Sequence, residues 1–284
     1  MCSYLKKNLI LGILILGTSL LFAQRPVNYD SPEYEYNLAV ELLQKEKYGS
    51  AQQYFKYVYE HTHDKQQDIK SNSYFYMGIC AAQLYNEDAI FLLKDFIRHY
   101  PVHSYVPEAY YHLGKFYFYK RQYKKVLDSF SQIDERNVRP TEMAEYRFKL
   151  GYSYFATGDS YEAKYHLNQA RLEEGEYQLR AIYYLAHIAY EEQNYEPALQ
   201  DFLLLKDEPE YQNVVPYYIV QIYFLQKRYE ELIAVAPPLF EKTTDKNKSD
   251  IARSLALAYY NLGMYKNAQA YFDFYLNDKN AQPD

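Results

Sequence analysis

Residues 110–133 read YYHLGKFYFYKRQYKKVLDSFSQI, and this stretch decides the fold. Its first half places large residues at three- and four-residue spacing around the small Gly114, and its second half repeats that spacing after Tyr123. Such spacing predicts two amphipathic helices that pack against each other. Polar or glycine-containing turns join similar pairs elsewhere, at Lys45–Lys47 and Gly158–Asp159. The stretch therefore predicts a helix–turn–helix unit.

The unit recurs along the chain at a nearly constant period. Seven positions predicted to start the second helix are separated by 38, 37, 37, 35, 34 and 36 residues: Tyr48, Asn86, Tyr123, Ser160, Tyr195, Tyr229 and Tyr265. A fixed period in this range predicts a helical solenoid, in which each repeat contacts only its neighbours. No segment shows sustained period-two alternation, so we expect an all-α protein.

Proline and cap residues mark the predicted repeat boundaries. Ser31 followed by Pro32 predicts the first helix start, and later boundaries are predicted at Pro101, Pro140, Pro209 and the pair Pro237–Pro238. We expect a linker at residues 24–30 and a tail at 280–284. The solenoid at 31–279 is predicted to contain repeats at about 31–63, 69–101, 105–138, 141–174, 178–208, 212–242 and 248–279.

These repeats resemble tetratricopeptide (TPR) repeats over residues 31–277. The third repeat carries the signature best, with Tyr110, Leu113, Gly114 and Tyr117 followed by Tyr123, Phe130 and Ile133. The resemblance implies a right-handed α-solenoid of about seven repeats. Small residues predict close helix approach: Ala39, Gly78, Gly114, Gly151, Ala186 and Ala256 on first helices, and Ala51, Ala89, Ala163, Ala198 and Ala268 on second helices. The sixth repeat has Val220 and Leu232 instead, so we expect looser packing there.

Composition excludes several functional classes. The chain has 284 residues, a net charge of −6, 38 tyrosines and no tryptophan. It has no long basic run, so no nucleic-acid surface is expected. Of the two cysteines, Cys2 lies before the first apolar run, and Cys80 alone would remain in an exported chain. One cysteine cannot form an internal disulfide, so packing must hold the fold.

The first 23 residues predict a cleaved secretory signal. Lys6 and Lys7 precede an apolar run from Leu9 to Gly17, and Ala23 offers a cleavage site. The alternative is a retained membrane anchor, but the uncharged stretch 8–23 is shorter than the roughly 20 residues that span a bilayer. No cysteine lies near Ala23, so a lipoprotein signal is not expected. We predict export to the periplasm or the periplasmic face of the outer membrane, with no transmembrane helix after cleavage.

The TPR resemblance implies a concave groove lined by the first helices. The predicted partner-binding residues are Tyr36, Tyr111, Tyr152, Phe155, Tyr183, His187, Tyr190, Tyr217, Phe224 and Tyr260. Phe75, Phe118 and Phe148 occupy equivalent positions, and Lys115, His187, Gln221 and Arg253 are the polar candidates. The alternative for each ring is packing against a neighbouring helix. Positions that hold a carboxylate clamp in some TPR proteins carry Tyr36, Val40, Phe75 and Ile79 here, so that clamp is missing.

No pattern in the sequence predicts catalysis, and no cofactor or metal is expected. His61 and His63 lie in a polar loop beside Asp64 without further ligands, and Pro101 separates His99 from His103. The acidic residues around Gly175 predict a solvated turn, and Cys80 predicts a core position.

The sequence therefore predicts a non-catalytic scaffold that binds a protein or peptide partner. A glycan-binding module, with tyrosines stacked on peptidoglycan or another polysaccharide, is the alternative. The last helix carries Tyr271, Phe272, Phe274 and Tyr275 and no polar cap follows, so further repeats or a partner are expected to cover that edge.

Overall fold

The computed structural model describes residues 31–63, 66–244 and 247–277. The predicted signal, linker and tail, together with Asp64, lie outside these residues. The chain forms two compact units divided after Phe116, and each is described by itself. In the described part the structure contains 14 α-helices, two short 3-10 turns and no strand, which confirms the all-α prediction.

Unit 1 contains the first helices in chain order: α1 (Pro32–Gln44), α2 (Tyr48–His61), α3 (Gln67–Gln83), α4 (Asp88–His99) and the start of α5 (Val106–Tyr119). Unit 2 continues with α6 (Tyr123–Phe130), α7 (Met143–Thr157), α8 (Ser160–Ala170), α9 (Glu176–Glu191), α10 (Tyr195–Leu205), α11 (Val215–Leu225), α12 (Tyr229–Lys242), α13 (Asn247–Asn261) and α14 (Tyr265–Asn277). The 3-10 turns Glu135–Asn137 and Pro140–Glu142 join α6 to α7. Within the described ranges, no helix combines the length and the apolar character needed to cross a membrane.

Small residues hold the paired helices of unit 1 close together. Ala39 and Ala51 are fully buried in the α1–α2 pair, and Ala89 is fully buried in the α3–α4 pair. A Cβ atom on Gly78 would lie 2.7 Å from Leu93 Cδ2, which is closer than real Cβ atoms approach. The pairing of α3 with α4 therefore depends on the missing side chain at Gly78.

Gly151 plays the same role in unit 2, where the neighbouring helix leaves even less space for a side chain. A Cβ atom on Gly151 would lie 2.8 Å from Leu167 Cγ and 2.9 Å from the Leu167 backbone nitrogen. A flexible side chain can move aside, but the backbone of α8 cannot without shifting the whole helix. Val220 and Leu232 of the sixth repeat are both fully buried, and its looser packing stays a prediction.

Each of the seven helix pairs in the described ranges turns through the same backbone motif. In each turn one residue has positive φ: Glu46, Tyr85, Arg121, Gly158, Gln193, Lys227 and Gly263. In all pairs but the second, this residue lies two positions before the predicted start of the second helix. Two backbone bonds close each turn, as where Lys47 N donates to Leu42 O at 2.9 Å and Glu46 N donates to Leu43 O at 3.0 Å. This is the Schellman motif, which satisfies carbonyl groups at the end of a helix.

The turn motif corrects the register of the second repeat. Tyr85 carries the positive φ of 55°, so the position equivalent to Tyr48 is Glu87, not Asn86. Asn86 donates its backbone N–H to Ala81 O at 2.9 Å and belongs to the turn, and α4 begins at Asp88. The sequence prediction failed there because the repeat lacks an aromatic residue at the helix start.

The prediction that Pro237 and Pro238 mark a helix boundary is wrong. Both lie inside α12. Prolines remove two N–H donors from a helix, which normally ends or kinks it. Burial of Ala236, Leu239 and Phe240 against the core of unit 2 opposes that cost, because this apolar face continues through the proline pair.

Cys80 occupies the core of unit 1. Its side chain is fully buried on α3, and burial raises the pKa of the thiol to about 12. The expectation that Cys80 is a core residue is confirmed.

The turn motif predicts opposite effects for two glycine substitutions. A Cβ atom would meet nothing within 4 Å at either Gly158 or Gly49, so only backbone conformation distinguishes them. Gly158 has a φ of +90°, and Gly158→Ala should cost about 1–2 kcal/mol. Gly49 lies in α2, and Gly49→Ala should stabilise by roughly 0.5–1 kcal/mol. Urea unfolding of both variants measures the difference, and equal shifts of the midpoint would contradict the assigned role of Gly158.

Candidate aromatic groove

The first helices of unit 2 bring a continuous row of rings into contact, which we call the aromatic strip. Its members, which come from α5, α7, α9 and α11, are Phe118, Tyr152, Phe155, Tyr184, His187, Tyr190 and Tyr218. Consecutive ring centroids lie 4.7 Å apart for Tyr152–Tyr184 and 5.6 Å apart for Phe155–His187. The strip therefore links four successive first helices.

Most neighbouring rings in the aromatic strip meet edge to face. The interplanar angle is 76° between Tyr152 and Tyr184, 73° between His187 and Tyr218, and 74° between Tyr190 and Tyr218. This geometry directs the positive edge of one ring at the negative face of the next, and each such pair contributes about 0.5–1.5 kcal/mol beyond area burial. One consequence is that many ring faces are already covered by a neighbour.

Hydroxyl groups connect the strip to the turns beside it. The Tyr152 hydroxyl hydrogen-bonds with those of Tyr123 and Tyr184, and Tyr183 hydrogen-bonds with Tyr218. Burial is the main reason that the pKa of Tyr123 rises to about 12, and the hydrogen bond to Tyr152 adds to it. Burial likewise raises the pKa of Tyr190 to about 12. These phenols stay protonated near neutral pH and can donate hydrogen bonds.

A half-buried ion pair flanks the strip on α7. Lys149 Nζ lies 3.2 Å from Glu145 Oε1 and 4.4 Å from the centroid of the Phe118 ring. The lysine and glutamate side chains are only 14% and 17% exposed. The pair is largely desolvated, so removing one partner would leave an uncompensated charge. Sequence reasoning missed this pair, although its i, i+4 spacing on a first helix was a usable signal.

His187 lies at the middle of the aromatic strip. Its ring is 5.6 Å from Phe155 of α7 and 5.5 Å from Tyr218 of α11, measured between centroids. Its Nδ1 atom is buried and has no hydrogen-bond partner. Burial lowers the pKa of the imidazole, and Glu191 on the same helix acts in the opposite direction.

The structure places the ten predicted groove residues in three environments. Eight are half-buried: Tyr36, Tyr152, Phe155, Tyr183, His187, Tyr190, Tyr217 and Phe224. Tyr260 is 57% exposed, and its ring contacts Tyr265 at 5.4 Å. Tyr111 is 3% exposed, which corrects its assignment to an open groove, because a ring so covered acts in packing. Phe75 and Phe148, at 0% and 4%, are corrected in the same way.

The strip brings together some predicted residues and leaves others apart. Tyr152, Phe155, His187 and Tyr190 belong to it, and Tyr183 and Tyr217 join through ring contacts with Tyr184 and Tyr218 at 5.1 and 5.4 Å. Tyr36 lies in unit 1 against Phe55, and Phe224 contacts Tyr229 instead.

Sequence reasoning missed Tyr184 and Tyr218. Tyr184 precedes His187 by three residues, and Tyr218 precedes Gln221 by three. This spacing puts each on the same helical face as a predicted groove residue, so it was a usable signal.

The polar candidates engage neighbours within their own units. Gln221 Nε2 donates to Ser254 Oγ at 3.1 Å, and Lys115 Nζ lies 5.2 Å from the Tyr111 ring centroid. In the acidic turn, Glu173 Oε1 accepts from Arg147 Nη1 at 3.1 Å. Among the described residues, no group of three or more His, Cys, Asp or Glu side chains could hold a metal ion.

One serine–histidine contact in unit 1 invites a catalytic interpretation that its hydrogen bonds oppose. Ser71 Oγ lies 3.1 Å from His103 Nε2, while His103 Nδ1 accepts the backbone N–H of Tyr105 at 3.2 Å. Because Nδ1 is an acceptor, the proton of a neutral ring sits on Nε2. His103 therefore donates to Ser71 and cannot take a proton from it, and Ser71 is only 2% exposed.

The most exposed tyrosine of the described residues lies outside the predicted groove. On α8, a second helix, Tyr161 is 77% exposed and Tyr165 is 58% exposed. They lie four residues apart and share one helical face.

Comparison with known proteins identifies the fold. No family model matches the sequence, and no curated protein matches it. The C-terminal part of a TPR repeat-containing protein from Cytophaga hutchinsonii is similar in structure, with a TM-score of 0.59 at 18% identity, over 87% of this chain and 97% of that one. The chain has the tetratricopeptide repeat fold. The apo form of RapI is also similar, with a TM-score of 0.52 at 17% identity, over 86% of this chain and 75% of that one. The predicted TPR solenoid is thus confirmed at the level of fold.

Three half-buried histidines of the TPR chain predict a pH dependence of stability. Burial lowers the pKa of His103, His166 and His187 below the ordinary value of 6.5. The unfolded chain then binds more protons than the folded chain as the pH falls through 6.5, so the free energy of unfolding should decrease there. Urea unfolding measured between about pH 7.5 and 5.5 tests this. His166→Gln should flatten the dependence, whereas Asn168→Gln, an exposed change on the same helix, should leave it unaltered.

Proposed function

We propose that this TPR chain is a non-catalytic scaffold that binds a protein or peptide along the aromatic strip of unit 2. The observation that carries the proposal is a row of half-buried rings, continuous over four first helices, with hydroxyl and imidazole groups among them. Such a surface offers apolar contact area and hydrogen bonds together, which suits an extended peptide or a helix. An enzymatic role has less support, because Glu173 and Glu176 of the acidic turn form ion pairs with Arg147 and Arg180.

Ring geometry favours a peptide over a glycan. Sugars stack on the flat faces of aromatic rings, whereas the strip presents rings that cover one another edge to face, as in the Tyr152–Tyr184 and Tyr190–Tyr218 pairs. Peptide side chains and backbone groups can use ring edges and hydroxyls. Among the ten predicted groove residues, Tyr260 is the one that favours the glycan alternative, because its ring is more than half exposed.

Photocrosslinking inside cells tests the proposed groove. A photoreactive amino acid at Phe155, or at Tyr152, should capture specific proteins or peptides identified by mass spectrometry. The control is the same group at Tyr161, which is more exposed but lies on a second helix. Equal products from Phe155 and Tyr161, or only background from several strip positions, would contradict the groove proposal. Affinity for soluble peptidoglycan fragments that Tyr152→Ala or Tyr183→Ala abolishes would favour the glycan module instead.

We also propose that the chain works in a bacterial envelope, in the periplasm or at the periplasmic face of the outer membrane. The support is the N-terminal sequence, with Lys6 and Lys7 before the apolar run and a small residue, Ala23, after it. N-terminal sequencing of protein isolated from the envelope fraction should begin at Gln24. A mature protein that still begins at Met1 in the membrane fraction would favour the retained anchor, and one in the cytoplasm would refute export.

A further inference from the structure

His187 is the only member of the aromatic strip whose ring contains nitrogen atoms. Its two ring nitrogens have different surroundings. The Nδ1 atom is buried and has no hydrogen-bond partner. The Nε2 atom does not combine these two properties. Phe155 and Tyr218 meet the imidazole at interplanar angles of 78° and 73° from the helices on either side. These ring contacts define the plane of the imidazole.

The surroundings of the ring decide where its proton sits. A proton on Nδ1 would bury an N–H group that has no acceptor, which is unfavourable because the donor loses its hydrogen bond to water. A proton on Nε2 leaves only a lone pair buried and points the N–H toward the accessible side. Charging the ring would again require a buried N–H at Nδ1. The nearby ionisable groups are Glu191 on α9 and the hydroxyls of Tyr183 and Tyr218, which already bond to each other.

From this geometry we propose that His187 presents a neutral Nε2–H to the groove and donates it to a backbone carbonyl oxygen of the bound peptide. The inference rests on the proposed function and gives its ligand a chemical requirement. The peptide must offer an unpaired acceptor at the level of α9, which an extended segment does and a regular helix, whose carbonyls are already bonded, does not. An extended segment is therefore the occupant that fits. A neutral donor also gives no preference for an acidic terminus, in line with the missing carboxylate clamp.

Three substitutions at His187 separate the two nitrogens. His187→Gln keeps an N–H near the position of Nε2, His187→Asn moves it to the position of Nδ1, and His187→Phe keeps a ring without a donor. The probe is a set of extended peptides selected from a random dodecapeptide library against the wild-type chain. Binding should weaken about tenfold in the Phe and Asn variants, as expected for an acceptor left unpaired, and stay within about threefold in the Gln variant.

Two outcomes distinguish failure of this inference from failure of the groove. If His187→Phe binds the selected peptides as tightly as the wild type while Tyr190→Ala abolishes binding, the groove stands and the donor role is wrong. If no peptide is selected, or if Tyr190→Ala has no effect, the proposed function itself fails. Nitrogen-15 NMR of the free chain tests the tautomer without any ligand: the expected state is neutral, with the proton on Nε2, and a proton on Nδ1 would overturn the inference. Circular dichroism confirms that each variant is folded.

Discussion

The close approach of two helices inside each repeat is the constraint on which the rest of the structure depends. It requires a residue with little or no side chain at the crossing point. At Gly151 a Cβ atom would meet the backbone of Leu167, so the requirement is strict there, whereas at Gly78 the nearest atom is the end of the flexible Leu93 side chain. The tight crossing sets the spacing between hairpins, and therefore how closely first helices follow one another. Rings on successive first helices can touch, as they do from Phe118 to Tyr218, only because that spacing is small.

The aromatic strip is a compromise between packing and recognition. Its members are half-buried, so part of each ring packs within the solenoid and part remains exposed for contact with a ligand. Phe148, one turn before Tyr152 and two turns before Phe155 on the same helix, is almost fully buried. Position along the helix, not residue type, separates the two roles.

Much of the fold could be predicted from the sequence, because the repeat period and the small residues are local signals. The misassigned Asn86 and the helical Pro237–Pro238 pair show where local signals end. In the second repeat, Glu87 stands where other repeats have an aromatic residue at the helix start. Only the positive φ of Tyr85 shows which residue is equivalent to Tyr48. At the proline pair, tertiary burial overrides a helix-breaking residue. Part of the candidate site could also be predicted from the sequence. Helical periodicity gives the helix face of Tyr152 and His187, but the burial of Tyr111 depends on neighbours that are distant in sequence.

The buried thiol of Cys80 makes this protein convenient for site-specific labelling and spectroscopy. A thiol reagent attacks through the thiolate, and at neutral pH a group with so high a pKa and no exposure has almost none available. Any cysteine introduced on an exposed helix face would therefore react before Cys80. Fluorophores or spin labels can be attached to chosen repeats of the native chain without replacing Cys80 and disturbing the α3–α4 core.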